Sequence, residues 1–209
     1  MLIDRAGVPF VGVALIVALG AGLWFGRAWS VPFLVLAAFF LFFFRDPDRV
    51  TPVGTHLVTS PADARITVAG EPAGAGAPPG DWQTISMFLS PLDVHVNRTP
   101  VDGTVTRVEY HPGKFLPAYR PEAGELNEWT EVWIDRTGGP IVVRQIVGVL
   151  ARRIVCRLRV GDRVERGQRF GVMKFGSRMD VFLPRSAKIR VKVGDKVVAG
   201  ETTIATLEL

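Results

Sequence analysis

The chain opens with two apolar runs before any strand-like pattern begins. From Ala6 to Gly26 it carries no charged residue, and at about 1.5 Å per helical residue this run is about 30 Å long, close to the thickness of a bilayer's hydrocarbon core. A second apolar run extends from Ala28 to Phe44, and only Arg27 separates the two. The pattern predicts an N-terminal hydrophobic α-helical hairpin in residues 1–49, inserted as two spans or as a shallower re-entrant hairpin.

Positive charges flank these runs. Arg5 precedes the first run, and Arg45 and Arg49 follow the second. The positive-inside rule therefore predicts that both ends of the hairpin, and the rest of the chain, lie on the cytoplasmic side of the cell (inner) membrane. A cleaved signal peptide is the competing interpretation, because 18–21 offers small residues after an apolar stretch, but a second apolar run directly downstream is unusual in a mature secreted protein.

Residues 50–209 have the pattern of one mostly β domain with few helices. Their length suffices to bury one core. Segments rich in β-branched residues, partly alternating with polar ones, are separated by glycine-containing turns. These segments are "TVTRVEY" (104–110), "EVWID" (131–135), "IVVRQIVGVLARRIVCRLRV" (141–160), "SAKIRVKV" (186–193) and "TTIATLEL" (202–209).

Two internal repeats refine this prediction. "VGDRVERGQ" (160–168) recurs as "VGDKVVAGE" (193–201), and "PADARITV" (61–68) is similar to "PVDGTVTRV" (100–108). Such turn-and-strand units pair symmetrically in barrel-sandwich folds of the biotinyl/lipoyl type, and we expect that fold here. Fold alone does not assign a function.

Composition narrows the classes of partner and site. The net charge is +5 and the chain has no basic array interleaved with aromatic residues, which fits an anionic membrane surface better than nucleic acid. The single cysteine, Cys156, excludes an internal disulfide and a cysteine-based zinc cluster. The three histidines lack the spacing of metal ligands, so we expect no metal site.

Three polar motifs are candidates for chemistry. His95 lies in "SMFLSPLDVHVNRTPVDG" (86–103), where Asp93 would share its strand face, and Asn97 and Arg98 follow it. Asp63 lies in "TSPADARI", and Ser177 follows Gly176 in "KFGSRMDVFLP". Alone, each has an ordinary structural interpretation: a hydrogen-bonded histidine, an Asx-type turn and a common turn dipeptide.

Together and in this order, after a hydrophobic hairpin, these motifs resemble the short form of phosphatidylserine decarboxylase proenzymes over nearly the whole chain. The resemblance implies self-cleavage between Gly176 and Ser177, with Ser177 Oγ attacking the Gly176 carbonyl. The products would be a β chain (1–176) and an α chain (177–209), associated as a heterodimer. Position 177 would become an N-terminal pyruvoyl group, the covalent cofactor of the enzyme.

The resemblance also implies the reaction and its residues. The pyruvoyl group would form a Schiff base with the amine of phosphatidylserine, and decarboxylation would yield phosphatidylethanolamine. His95, oriented by Asp63, is the expected base for self-cleavage and proton donor for decarboxylation. Longer members of the family read D-Y-H-R-x-H-x-P where this chain has D-V-H-V-N-R-T-P, so Arg98 stands at the second histidine and we expect Asn97 and Arg98 to support His95. Assembly into homo-oligomers is left open.

A binding module is the alternative class. Lys174 in "VMKF" could be the biotin- or lipoate-bearing lysine of a carrier turn, or the chain could be a membrane-anchored adaptor. Biotin carriers have acidic and small residues before an M-K-M sequence, and Gly171-Val172 do not match that pattern. A carrier would remain one intact chain and gain the mass of its attached cofactor, whereas the decarboxylase would be cut into two chains.

Overall fold

The computed structural model describes residues 2–71, 76–149, 153–174 and 177–208. The chain divides into two compact units, residues 1–48 and 49–209. This boundary lies one residue before the predicted one. The roles that the sequence suggests for the two segments stay predictions.

The first unit is a helical hairpin, as the apolar pattern predicts. Helix α1 spans Val8–Phe25, a short 3-10 helix spans Arg27–Ser30, and α2 spans Val31–Phe43. The strands β1 (Leu2–Ile3) and β2 (Arg45–Asp46) pair antiparallel, so the chain leaves the hairpin beside the point where it entered. By length and composition α1 can cross a membrane, and many of its apolar side chains are exposed, which is consistent with membrane association.

The second unit is mostly β, which confirms the predicted fold class. Its strands form an eight-stranded sheet in the order β11-β7-β8-β9-β13-β5-β4-β15 and two three-stranded sheets, β10-β12-β6 and β14-β16-β3. The elements are β3 (Leu57–Thr59), β4 (Ala64–Gly70), β5 (Trp82–Leu89), β6 (Val96–Arg98), β7 (Gly103–His111), α3 (Ala123–Leu126), β8 (Trp129–Asp135), β9 (Ile141–Val147), β10 (Ile154–Cys156), β11 (Arg163–Val164), β12 (Arg169–Met173), β13 (Ser177–Pro184), β14 (Lys188–Ile189), β15 (Lys196–Val197) and β16 (Thr203–Thr206).

The two sequence repeats occupy equivalent places at the two edges of the large sheet. Their turns lead into β11 and β15, which form the edges and pair with β7 and β4, the strands of the other repeat. The contacts repeat as well: the amide of Val105 donates to the Asp162 carbonyl (2.8 Å), and the amide of Ile66 donates to the Asp195 carbonyl (2.9 Å). The unit therefore contains two related halves, as the repeats predict.

Strand β13 lies at the centre of the large sheet, between β5 and β9. Ser177 is its first residue and lies opposite Leu89 of β5 and Val147 of β9. Met179 and Val181 face the main core on the same side as Ser177, because alternate residues of a strand share a face. The seven residues from 177 to 183 are all buried.

The opposite face of this sheet carries buried ion pairs. Arg144 of β9 donates to Glu131 of β8, with Nε 2.8 Å from Oε2, and Glu131 Oε1 accepts from the indole of Trp133 at 2.7 Å. On β13, Arg178 donates to both carboxylate oxygens of Asp180, at 2.7 and 2.8 Å. Because these charges are buried, removing one partner leaves the other without compensation.

We expect Glu131→Ala to lower the free energy of unfolding by about 3–5 kcal/mol, because Arg144 would stay buried without its counter-ion. Glu109→Ala is the matched control. Glu109 lies opposite Glu131 in the β7–β8 ladder but pairs with an exposed arginine, and it should lower that free energy by less than about 1 kcal/mol. Urea unfolding of the purified full chain in detergent, followed by tryptophan fluorescence, measures both. Equal effects of the two substitutions would contradict this account.

Candidate active site

Ser177 is a buried hydroxyl at the start of the central strand. The residue is 0% exposed, and within the described ranges its Oγ has no hydrogen-bond partner. Leaving a buried polar group unpaired costs about 1–3 kcal/mol, so such an atom indicates a site kept for chemistry. Gly176, the other half of the predicted cleavage site, lies outside the described residues.

His95 directly precedes β6 and lies beside the end of β12, the strand that precedes Ser177 in the chain. Its carbonyl accepts a hydrogen bond from the amide of Met173 at 3.2 Å, four residues before Ser177. The ring is fully buried, and Nδ1 lies 2.9 Å from the Asp93 carbonyl. A carbonyl oxygen only accepts, so Nδ1 carries the proton and Nε2 of the neutral ring carries the lone pair. His95 can therefore act as a base through Nε2.

Asp63 stabilises a turn and forms an ion pair. Its Oδ1 accepts from the amide of Ala199 at 2.8 Å, and Arg49 donates to both carboxylate oxygens, at 2.8 and 3.0 Å. Asp102, at the equivalent place in the other half, likewise accepts from the amide of Arg166 at 2.8 Å. In the part of the chain that the structure describes, His95 is not among the polar partners of the Asp63 carboxylate. The orienting role of Asp63 stays a prediction.

Asn97 and Arg98, the two predicted supporting residues, have different surroundings. Both lie on β6, but Arg98 Nη1 donates to the Gly167 carbonyl at 2.9 Å, which fixes its guanidinium at a turn. Asn97 Oδ1 accepts from Gln145 Nε2 at 2.8 Å, and both amide side chains are fully buried. The structure thus groups Asn97 with Gln145, which the sequence interpretation does not include.

One signal for Gln145 is present in the sequence. It stands in the β9 segment "IVVRQIV", where every residue is buried. Buried strands are mostly apolar, so a polar residue inside such a run is an informative exception. Its partner lies 48 residues away in the chain, so the pattern alone could not identify the pair.

A cleft of about 610 Å³ lies near the end of β5, where Phe88 and Arg65 line it from the face of the sheet opposite Ser177. Ser90 in its wall directly follows Leu89, the cross-strand neighbour of Ser177. Arg65 of β4 and Lys196 of β15, which lie opposite each other, add positive charge to the lining. Asp63 and Asp93 also line the cleft, so its wall carries both positive and negative groups.

The other reactive groups of the second unit are poorer candidates for catalysis. Burial raises the pKa of the Cys156 thiol, so the thiolate is disfavoured at neutral pH and Cys156 is a poor nucleophile. Among the described residues, no group of three or more histidine, cysteine, aspartate and glutamate side chains is placed to hold a metal ion. Ser177 and His95 are therefore the groups best placed for chemistry.

The chain as a whole is similar to known proteins. The sequence model of the family described as Phosphatidylserine decarboxylase matches residues 36–205. The phosphatidylserine decarboxylase proenzyme of Nitrosomonas europaea is 43% identical over 98% of this chain and 94% of its own length. The proenzymes of the same name from Ralstonia nicotianae and Symbiobacterium thermophilum are 44% and 45% identical, each over 99% of this chain and 96% of their own lengths. The chain belongs to the phosphatidylserine decarboxylase family.

Proposed function

We propose that this chain cleaves itself between Gly176 and Ser177 and then converts phosphatidylserine to phosphatidylethanolamine and carbon dioxide. Its relatives are named phosphatidylserine decarboxylase proenzymes, which supports both the reaction and a processed precursor. The observation that carries the proposal is the buried Ser177 Oγ, which has no hydrogen-bond partner within the described ranges. The carrier or adaptor alternative, with Lys174 as the modified residue, is not favoured, because these relatives are named as decarboxylases.

Self-cleavage begins at the Ser177 hydroxyl. Nε2 of His95 takes the hydroxyl proton as Oγ bonds to the Gly176 carbonyl carbon. The peptide C–N bond then breaks and its nitrogen gains a proton, which leaves an ester. Loss of the Ser177 α-proton and of the Cβ–Oγ bond releases residues 1–176 with a terminal carboxylate. Water then replaces the nitrogen of the resulting dehydroalanine as ammonia and leaves the pyruvoyl group at position 177.

The sheet supports continued association of the two chains after this break. β13 belongs to the α chain, whereas β5 and β9, which pair with it on either side, belong to the β chain. The cleaved bond precedes β13, so cleavage leaves the ladder hydrogen bonds of residues 178–184 intact. The α and β chains therefore form a heterodimer without new contacts.

The environment of position 177 also suits a pyruvoyl group. When present, this group supplies an electron-withdrawing carbonyl that takes up the electrons left by departing carbon dioxide. Leu89 and Val147, the buried cross-strand neighbours, limit the access of water. His95 returns a proton to the carbon that loses carbon dioxide.

The substrate's acyl chains stay in the bilayer, and the first unit keeps the enzyme at that surface. Helix α1 anchors the chain, and the net charge of +5 favours an anionic leaflet. The positive charges flanking the hairpin support a location of the second unit on the cytoplasmic side of the inner membrane.

Ser177→Ala is expected to leave a single, inactive chain, because the nucleophile is lost. The parent protein should give two chains, 1–176 and 177–209, with the smaller one blocked at its N-terminus and lighter by the loss of ammonia. Intact mass under denaturing conditions measures both. Ser186→Ala, at an exposed serine of the same segment, is the control and should cleave normally. A Ser177→Ala protein that still splits at this bond would exclude the mechanism.

His95→Ala is expected to slow self-cleavage by at least about a hundredfold, the low end of what a positioned base contributes. The measurement is the fraction of uncleaved, pulse-labelled chain over time. His56→Ala, at an exposed histidine, should mature at the parent rate. Equal maturation of the His95 and His56 variants would show that another group is the base.

Asp63→Asn tests whether Asp63 acts through its charge or only holds its turn. The amide oxygen can still accept from Ala199, but the negative charge is lost. If Asp63 supports His95, we expect self-cleavage to slow by about tenfold or more. Asp102→Asn makes the same change in the equivalent turn and should leave the rate unchanged. Both rates come from the pulse-labelling assay, and equal rates would assign Asp63 a structural role alone.

A further inference from the structure

The buried amide pair of Asn97 and Gln145 has hydrogen-bonding capacity to spare. Gln145 Nε2 donates to Asn97 Oδ1 at 2.8 Å, and both residues are 0% exposed. Asn97 Nδ2 and Gln145 Oε1 are also buried, and neither has a hydrogen-bond partner in the described part of the chain. The pair therefore presents one open donor and one open acceptor. If the oxygen and nitrogen of both side-chain amides are exchanged, one nitrogen and one oxygen are still left without a partner. The result therefore does not depend on how these atoms are assigned.

The sheet register places this pair next to position 177. Ser177 lies opposite Val147 of β9, and Gln145 is two residues before Val147 on the same face of that strand. Diagonal neighbours of this kind are about 7–8 Å apart at Cα, within reach of a long side chain. The open donor and acceptor thus lie in the same interior as the residue predicted to become the cofactor.

The fold keeps space for the Gln145 amide. Gly171 of β12 lies opposite Asn97 of β6, and a Cβ atom added at Gly171 would be 2.8 Å from Gln145 Nε2. The same Cβ would lie even closer to the Val155 carbonyl oxygen of β10, so a larger residue would clash with that strand and with the Gln145 amide. The absence of a side chain at position 171 allows Gln145 to reach across to β6.

We propose that the Asn97–Gln145 pair binds the amino-acid end of the substrate, with the open N–H donating to its α-carboxylate. This assignment rests on the proposed function. An amine that reacts at position 177 brings the carboxylate, two bonds away, to within a few ångströms of that position. An α-amino acid offers carboxylate acceptors and N–H donors, which match the open donor and acceptor of the pair.

A neutral amide also suits a carboxylate that must lose its charge. A guanidinium would form a charge-assisted hydrogen bond about twice as strong and would stabilise the ionised ground state. That stabilisation disappears as carbon dioxide forms, so it would raise the barrier. An amide orients the carboxylate with less of this penalty. The apolar neighbours Leu89 and Met179 add no competing charge.

Asn97→Asp is the direct test. The substitution is isosteric and keeps an oxygen to accept from Gln145, but it replaces the open donor by an acceptor and adds a charge that repels the substrate carboxylate. In the matured fraction of this variant we expect a KM for phosphatidylserine, in mixed vesicles, raised by at least about tenfold. Inhibition by phosphatidylethanolamine, which lacks the carboxylate, should change by less than about threefold.

Two further variants complete the experiment. Gln145→Met removes the partner amide at similar size and should raise the same KM by about threefold or more. Thr84→Val is the control: Thr84 Oγ1 is also buried without a partner in the described ranges, but its side chain lies on the other face of the sheet, and the KM should not change.

An unchanged KM in the matured Asn97 and Gln145 variants would overturn the assignment. So would failure of both to self-cleave, since the pair would then serve Ser177 itself. If only one variant folds and matures, its KM decides. Absence of decarboxylation by the cleaved parent protein would instead contradict the proposed function, before any variant is compared.

Discussion

The hydrogen bonds that hold β13 between β5 and β9 are the constraint on which the site depends. Because β13 lies at the centre of the sheet, residues 177–183 are buried on both faces, and the register fixes Ser177 opposite Leu89 and Val147. A site built on a central strand is held more precisely than one built on a loop. The same ladder places Gln145 diagonally from Ser177, so the proposed nucleophile and the amide pair are held by one rigid sheet.

The two related halves of the second unit show which contacts are part of the fold and not specific to the site. Asp63 and Asp102 each accept from an amide of a V-G-D-x-V-x-x-G turn, at 2.8 Å in both halves. That contact is explained by the fold alone. The ion pair of Asp63 with Arg49, the first residue of the second unit, adds to it. A chemical role for Asp63 must therefore depend on its charge and not on the turn it holds.

The sequence predicts the apolar hairpin, the β class and the symmetric pairing of the two repeats, because those features depend on local patterns. His95 and Ser177 are each predicted from a motif whose residues are neighbours in the chain. Gln145 could not be assigned in this way. Every residue of β9 is buried, so the strand lacks the alternation that would show which face Gln145 occupies. The contact of Gln145 with Asn97 also requires that β6, β9 and β12 pack together, which no local pattern encodes.

Full burial of Ser177 bears on the outcome of the proposed self-cleavage as well as on its rate. The ester formed after the acyl shift has two fates: water can hydrolyse it, which leaves an N-terminal serine, or elimination can break the Cβ–Oγ bond, which leads to the pyruvoyl group. Only the first requires water at the ester carbonyl. Water is needed on the productive route only later, to release ammonia. A nucleophile buried between two strands therefore favours elimination over hydrolysis, and the central position of β13 supplies that condition.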